Sequence, residues 1–174
     1  AAMALLSDEE RKFRGAIRSE THFPDLNKAR LVCGLAGLIR KYHGRFLPTS
    51  RLKRLVADGG MSAVYPHVLR AFAEKFNWGY GDRYPEFSII QHSFLFSLRL
   101  FHRFGSEWRP SSFYEDCFLK AFPMILDELE PTISYATPEE IVRSCYRWRC
   151  IEKFAVFLGL LDIQREDKSY LSRR

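Results

Sequence analysis

The stretch from Phe87 to Phe104 sets the tightest limit on what this chain can fold into. It is apolar nearly all the way round a helix. Gln91, His92, Arg99, His102 and Arg103 interrupt it, which excludes a membrane span. A helix of this kind must instead be covered by its neighbours. The pattern predicts a buried central helix over 87–104, ended by Gly105, inside a mainly α domain. The chain has the material to cover it: 174 residues, 47% hydrophobic and 15% aromatic. That composition excludes a disordered chain, and only 10 Gly and 8 Pro exclude a low-complexity or collagen-like one.

Other helices announce themselves by their ends. Ser7 to Glu10 reads as a capping box opening a helix over 8–19. Asp25 is the expected N-cap of a helix over 26–36, which Gly37 closes. Thr49 or Ser50 caps a short basic helix ending near Asp58, Gly59 and Gly60, and residues 62–76 resume a helical pattern. Ser112 to Glu115 reads as a second box, opening a helix over 113–122. Pro123 kinks or restarts it, Met124 to Leu129 continues, and Pro131 closes the segment. Thr137-Pro138-Glu139-Glu140 is the strongest local signal: Thr caps, Pro takes the first helical position, and Glu140 completes the box. Its helix is expected from Glu139 to about Leu158, with a break near Arg149 and Cys150.

Two short regions read as strands instead. After Gly37 come Leu38 to Tyr42, a turn at His43-Gly44, and Arg45 to Leu47. After Gly159 come Leu160 to Arg165, a polar turn over Glu166 to Lys168, and Ser169 to Ser172. Both follow one plan: a helix, a glycine that lets the chain turn sharply, apolar residues that pin the first strand, and a short hairpin. The predicted fold is therefore a mainly α helical domain with two short β-hairpins, winged-helix-like. Residues 1–60 form a basic winged-helix-like part. Residues 61–174 form a helical part ending in the second helix-plus-hairpin unit, the two making one compact body.

The motifs 37–49 (GLIRKYHGRFLPT), 76–80 (FNWGY), 82–85 (DRYP) and 118–123 (FLKAFP) extend this reading. Their order resembles the C-terminal winged-helix-like region of the uncharacterised bacterial plasmid-ORF-like proteins. The resemblance implies a module of a larger protein and brings no catalytic residues with it. The opening residues Ala1 to Ala4 read either as an artificial addition or as a cut within a longer protein.

Charge is concentrated early. Residues 1–60 hold 12 Lys/Arg against 6 Asp/Glu, whereas residues 61–174 hold 15 of each. Between Leu26 and Ala57 there are eight basic residues and no acid. A one-sign surface attracts polyanions and steers their approach. A solvated face whose counter-charges lie around Glu128 and Glu130, or in a missing part of the protein, is the alternative.

Chemistry-bearing motifs are few. No phosphate-binding glycine loop, zinc-protease motif or nucleophile elbow occurs. His22, His43, His67, His92 and His102 are scattered, and the last two would stand roughly 80° apart on one helix, too far apart for a shared metal. Asp127, Glu128 and Glu130 cluster at a helix end and read as solvated. Cys33, Cys117, Cys145 and Cys150 have no metal-ligand spacing and read as buried free thiols, which fits a reducing cytoplasm. No cofactor is implied and no secretory leader is visible. The loop carrying Trp78, Tyr80 and Tyr84 is the candidate ligand cage, and with Asp82 and His92 it is where an enzyme pocket would have to lie.

The sequence points to a non-enzymatic interaction or accessory module, partnered by another protein or by the rest of a longer chain, with self-association open and no membrane involved. The alternative is a DNA-binding winged-helix regulator. Either reading uses Asn27, Lys28 and Arg30 from the first basic helix and Arg40, Lys41, His43 and Arg45 from the hairpin. Arg51, Lys53 and Arg54 follow from the next helix, most of them positioning rather than specifying.

Overall fold

The computed structural model describes residues 23–129, 136–166 and 169–173. The expected capping box at Ser7 to Glu10, the helix over 8–19, His22, Glu130, Pro131 and the turn residues Asp167 and Lys168 lie outside the described residues. By its internal packing the chain forms two compact units, 1–76 and 77–174.

The first unit runs α1 (Pro24–Leu35), β1 (Ile39–Tyr42), β2 (Arg45–Pro48) and α2 (Ser50–Glu74). Helix α1 begins earlier than expected. Pro24, whose fixed φ suits a first helical position, starts it, and Phe23 is the N-cap. Asp25 is consequently not a cap; it sits in the first turn and pairs with Lys28 at 2.9 Å. Gly37 takes φ +69° and turns the chain out of α1, after which Leu38 is buried. His43 and Gly44 both have positive φ, at 46° and 77°, the geometry of a two-residue hairpin turn. Antiparallel pairing joins Ile39 to Pro48 and Tyr42 to Arg45. Thr49 caps α2, its Oγ1 accepting from Leu52 N–H at 3.3 Å. Helix α2 is two helical stretches joined by a kink at Gly59 and Gly60. Val32, Leu38, Val64, Phe72 and Phe76 are among the buried apolar residues of this unit.

The second unit runs through a loop over 77–87 to α3 (Ser88–His92), α4 (Phe94–Phe104), β3 (Arg109–Pro110) and α5 (Ser111–Ala121). A 3-10 turn (Pro123–Glu128) and α6 (Pro138–Tyr146) follow. The helix then widens into a π-helical segment (Arg147–Val156) before β4 (Asp162–Glu166) and β5 (Ser169–Arg173). The central helix expected over 87–104 is thus two helices. Ser93, at φ −88° and ψ 17°, separates them, and its hydroxyl donates to the Ile90 carbonyl, a local bond that competes with the helical ladder. The break puts His92 and His102 on different helices. Helix α4 is also not covered all round: Ser97, Leu100 and Phe101 are buried, but Leu95 is 66% exposed.

The box expected at Ser112 does not form. Helix α5 starts at Ser111 after Pro110, without a side-chain cap. Glu115 instead accepts from Arg147 Nε at 2.7 Å from a buried position. The box at Thr137 forms in full: Thr137 N–H donates to Glu140 Oε2 at 2.7 Å, and Glu140 N–H donates to Thr137 Oγ1 at 3.2 Å. Its helix does not break near Arg149 but widens. Gly159, at φ +69°, then releases the chain into β4. The second hairpin pairs as expected, β4 with β5, and gains a strand the sequence did not suggest. Arg109 and Pro110 pair with Ser172 and Leu171, giving the order β3-β5-β4.

Aromatic stacking fills the second core. Trp78 stacks on Phe154 at 4.5 Å between ring centroids, and Phe118 stacks on Tyr146 at 4.4 Å. Two buried cations of the π-helical segment hold the 77–85 loop against it. Arg149 donates from Nε and Nη2 to the two oxygens of Asp82, each at 2.9 Å, and from Nη2 to the carbonyls of Tyr84 and Pro85. Lys153 donates to the carbonyls of Trp78, at 2.9 Å, and Tyr80. The side chains of Arg149 and Asp82 are only 5% and 4% exposed. Removing one partner of a buried pair leaves the other charge uncompensated, which costs about 3–5 kcal/mol. Asp82→Ala should therefore lower unfolding free energy by about that amount in a urea titration, whereas exposed Asp127→Ala should change it by less than about 0.5 kcal/mol.

Candidate functional site

The hairpin of the first unit is built to project. Its strands are exposed throughout except at Ile39, which is half-buried. Alternation along paired strands sorts its side chains. Arg40, Tyr42, Arg45 and Leu47 lie on one face; Ile39, Lys41, Phe46 and Pro48 lie on the other. The second face is the one α1 meets, since the Arg30 guanidinium lies over the Phe46 ring at 5.0 Å. The first face carries two arginines around a tyrosine that is 54% exposed, with the Arg40 guanidinium 5.6 Å from the Tyr42 ring. The His43 ring meets Tyr42 edge-on at 4.2 Å.

The base of the hairpin is fixed by α2. Thr49 Oγ1 lies 2.9 Å from the Gly37 carbonyl and 3.1 Å from that of Leu38, and Thr49 N–H donates to Leu38 as well. Arg51 donates from Nη1 to the Ala36 carbonyl at 3.2 Å and from Nη2 to His67 Nδ1 at 3.0 Å.

The ten basic-face residues named from the sequence therefore divide. Lys28 is tied to Asp25, Arg30 to Asn27 Oδ1 at 2.9 Å, and Arg51 to the end of α1. Arg40, Lys41, His43, Arg45, Lys53 and Arg54 are exposed. Among the described residues, no carboxylate forms an ion pair with Arg40, Lys41, Arg45, Lys53 or Arg54. Lys53 and Arg54 follow the cap of α2, where the helix dipole already makes the surroundings positive. Those cations do nothing for the helix. They concentrate positive charge beside the hairpin.

The aromatic loop is arranged differently from a cage. Trp78 is buried in its stack on Phe154, Tyr84 is half-buried, and Tyr80 is exposed. Asp82 is engaged by Arg149, and His92 is exposed at the end of α3. Among the described residues no three His, Cys, Asp or Glu side chains are grouped to hold a metal. Arg149 and Lys153 escaped the sequence reading. Their signal was present: Arg149 and Lys153 lie four apart, hence on one side of a helix, among Cys145, Cys150, Ile151, Phe154 and Ala155, and cations set in so apolar a surrounding need partners from elsewhere in the chain.

All four cysteines are free, and Cys145 and Cys150 are buried. Burial pushes both thiols from 9.0 up to about 12, so neither offers a thiolate near neutral pH. Iodoacetamide at pH 8 should leave Cys145 and Cys150 unmodified in the native protein and label both in urea, read by peptide mass. The folded state holds these protons more tightly than the unfolded chain does. Their contribution to stability is complete below pH 9.0 and falls as pH rises from there toward 12. Urea midpoints at pH 8 and pH 10.5 should show that fall, and it should shrink in a Cys145→Ala, Cys150→Ala double variant.

No helix among the described residues is long and apolar enough to cross a membrane. No family model matches the chain, and neither a curated protein nor a solved structure does.

Proposed function

We propose that this chain is a non-enzymatic, winged-helix-like interaction module of a bacterial cytoplasmic protein, docking a partner protein or the remainder of a longer chain through the hairpin β1–β2. One observation carries the reading: Tyr42, Phe46 and Leu47 are exposed on a hairpin that is itself anchored at its base. Large apolar side chains held outward on a fixed ribbon favour a protein surface, where aromatic and arginine side chains supply most of the binding energy. The unreactive thiols and the structural engagement of Asp82 by Arg149 support a role without catalysis.

A second reading, DNA binding, is favoured by a separate observation, the five exposed cations Arg40, Lys41, Arg45, Lys53 and Arg54 with no ion pair among the described residues. If all five met phosphates, log affinity for a duplex would fall against log salt with a slope of about −4.5.

Replacing Tyr42 by a photo-crosslinking amino acid tests both, with exposed Arg70 as the control position. In a bacterial cytoplasmic extract the expected result is a discrete protein adduct at position 42. It should be absent at position 70 and lost when Arg40→Glu and Arg45→Glu are added. Adducts to nucleic acid, together with a steep salt slope for duplex DNA, would transfer the conclusion to the second reading. Equal labelling at both positions would overturn it.

A further inference from the structure

We propose that the outer edge of β1 accepts an extended acidic segment of the partner protein as a third strand of the first sheet. This rests on the interaction-module reading and specifies how the hairpin engages. A two-residue turn makes Tyr42 and Arg45 a hydrogen-bonded pair, and the alternation of an antiparallel ladder makes Arg40 and Leu47 the next one. The N–H and C=O groups of Ile39 and Lys41 then face away from β2. No other backbone hydrogen bond engages them among the described residues. The opposite edge is poorer. On β2 the outward groups belong to Phe46 and Pro48, and proline has no N–H to give. Strand β1 therefore holds the edge with its full set of donors and acceptors, and such an edge is a template for strand addition.

Charge then selects the occupant. A second copy pairing edge to edge would set Arg40 and Lys41 against their own equivalents, and like charges directly opposite destabilise a sheet. Duplex DNA would use the same cations but none of the edge groups. A strand that places adjacent carboxylates opposite Arg40 and Lys41 gains an ion pair on each face of the sheet. Apolar residues on either side of those carboxylates meet Ile39 and Tyr42. The recognised sequence is thus apolar, acidic, acidic, apolar, in extended form.

The probe is a fluorescein-labelled octapeptide with Val-Glu-Glu-Val at its centre, titrated by anisotropy into the full chain. The expected result is saturable binding, with slowed amide exchange at Ile39 and Lys41 and unchanged exchange at Arg40. N-methylation of the alternate peptide amides that face β1 should weaken binding about tenfold or more. Lys41→Pro, which deletes an outward N–H and leaves the ladder to β2 intact, should do the same. Because the N-methylated peptide leaves the protein unaltered, the test does not depend on how that variant folds. Equal affinity of the N-methylated peptide, or no binding of the parent peptide, overturns strand addition. If crosslinking at position 42 still gives its protein adduct in that case, the module docks by side chains alone and the broader reading stands. Tight, steeply salt-dependent binding of duplex DNA that leaves those amides unprotected, with the peptide inactive and no protein adduct at position 42, overturns both.

Discussion

The carbonyls at the end of α1 decide what the first unit can present. A helix leaves its last carbonyls without intrahelical partners, and something must satisfy them. Here the amides of Ala36, Gly37 and Leu38 fold back onto Val32, Gly34 and Cys33, and the residues that open the following helix take the carbonyls left just beyond. Thr49 serves Gly37 and Leu38, and Arg51 serves Ala36. One residue, Thr49, thus holds the exit from α1 and also opens α2. The chain between those points has no choice but to leave and return as a narrow ribbon. A two-stranded hairpin alone is marginal in water. This one is tied where it starts and ends, with Leu38 buried at its root, so the face of Arg40, Tyr42, Arg45 and Leu47 is released from structural duty.

The second unit uses the same helix–glycine–hairpin plan with another outcome. Gly37 and Gly159 share a φ of +69°. After Gly159, however, β5 gains β3 as a neighbour, and the hairpin becomes part of a three-stranded sheet. Charge is handled differently as well. In the second unit Arg149 and Lys153 are buried, and each is matched by oxygens of the loop it holds. Desolvating such groups is costly unless hydrogen bonds repay it, which is why the loop lies where it does. In the first unit Arg40, Lys41 and Arg45 stay in water and pin nothing.

Much of this is legible in the sequence wherever a single local rule decides the outcome. The Thr137 box, the cap at Thr49, the turn at His43-Gly44 and both glycine exits depend on a few adjacent residues, and all appear as read. Errors arose where a distant partner outbid a local one. Glu115 has the spacing of a capping residue, yet Arg147, 32 positions along, takes its carboxylate. Ser93 breaks a helix through its own hydroxyl, against an otherwise continuous apolar pattern. Strand β3 is only two residues long and exists because β5 lies beside it, so no periodicity could reveal it. Of the basic face, the chemistry of the cations was visible in advance. Which of them the protein itself would engage, as it engages Arg51 through the Ala36 carbonyl and His67, depended on where the end of α1 would fall.

The widened helical segment from Arg147 to Val156 has a consequence for how this chain can vary. A π-helical turn holds more residues than an α-helical one, so it behaves as an accommodated insertion. Deleting one residue there would restore ordinary winding. Because the widened turn absorbs its extra residue locally, the chain after it would keep its facing and draw back by only about 1.5 Å along the axis. Gly159 would still launch the last two strands in nearly the same direction. This segment is therefore a place where a chain sharing this architecture can change its length by one residue without re-aiming the hairpin that follows.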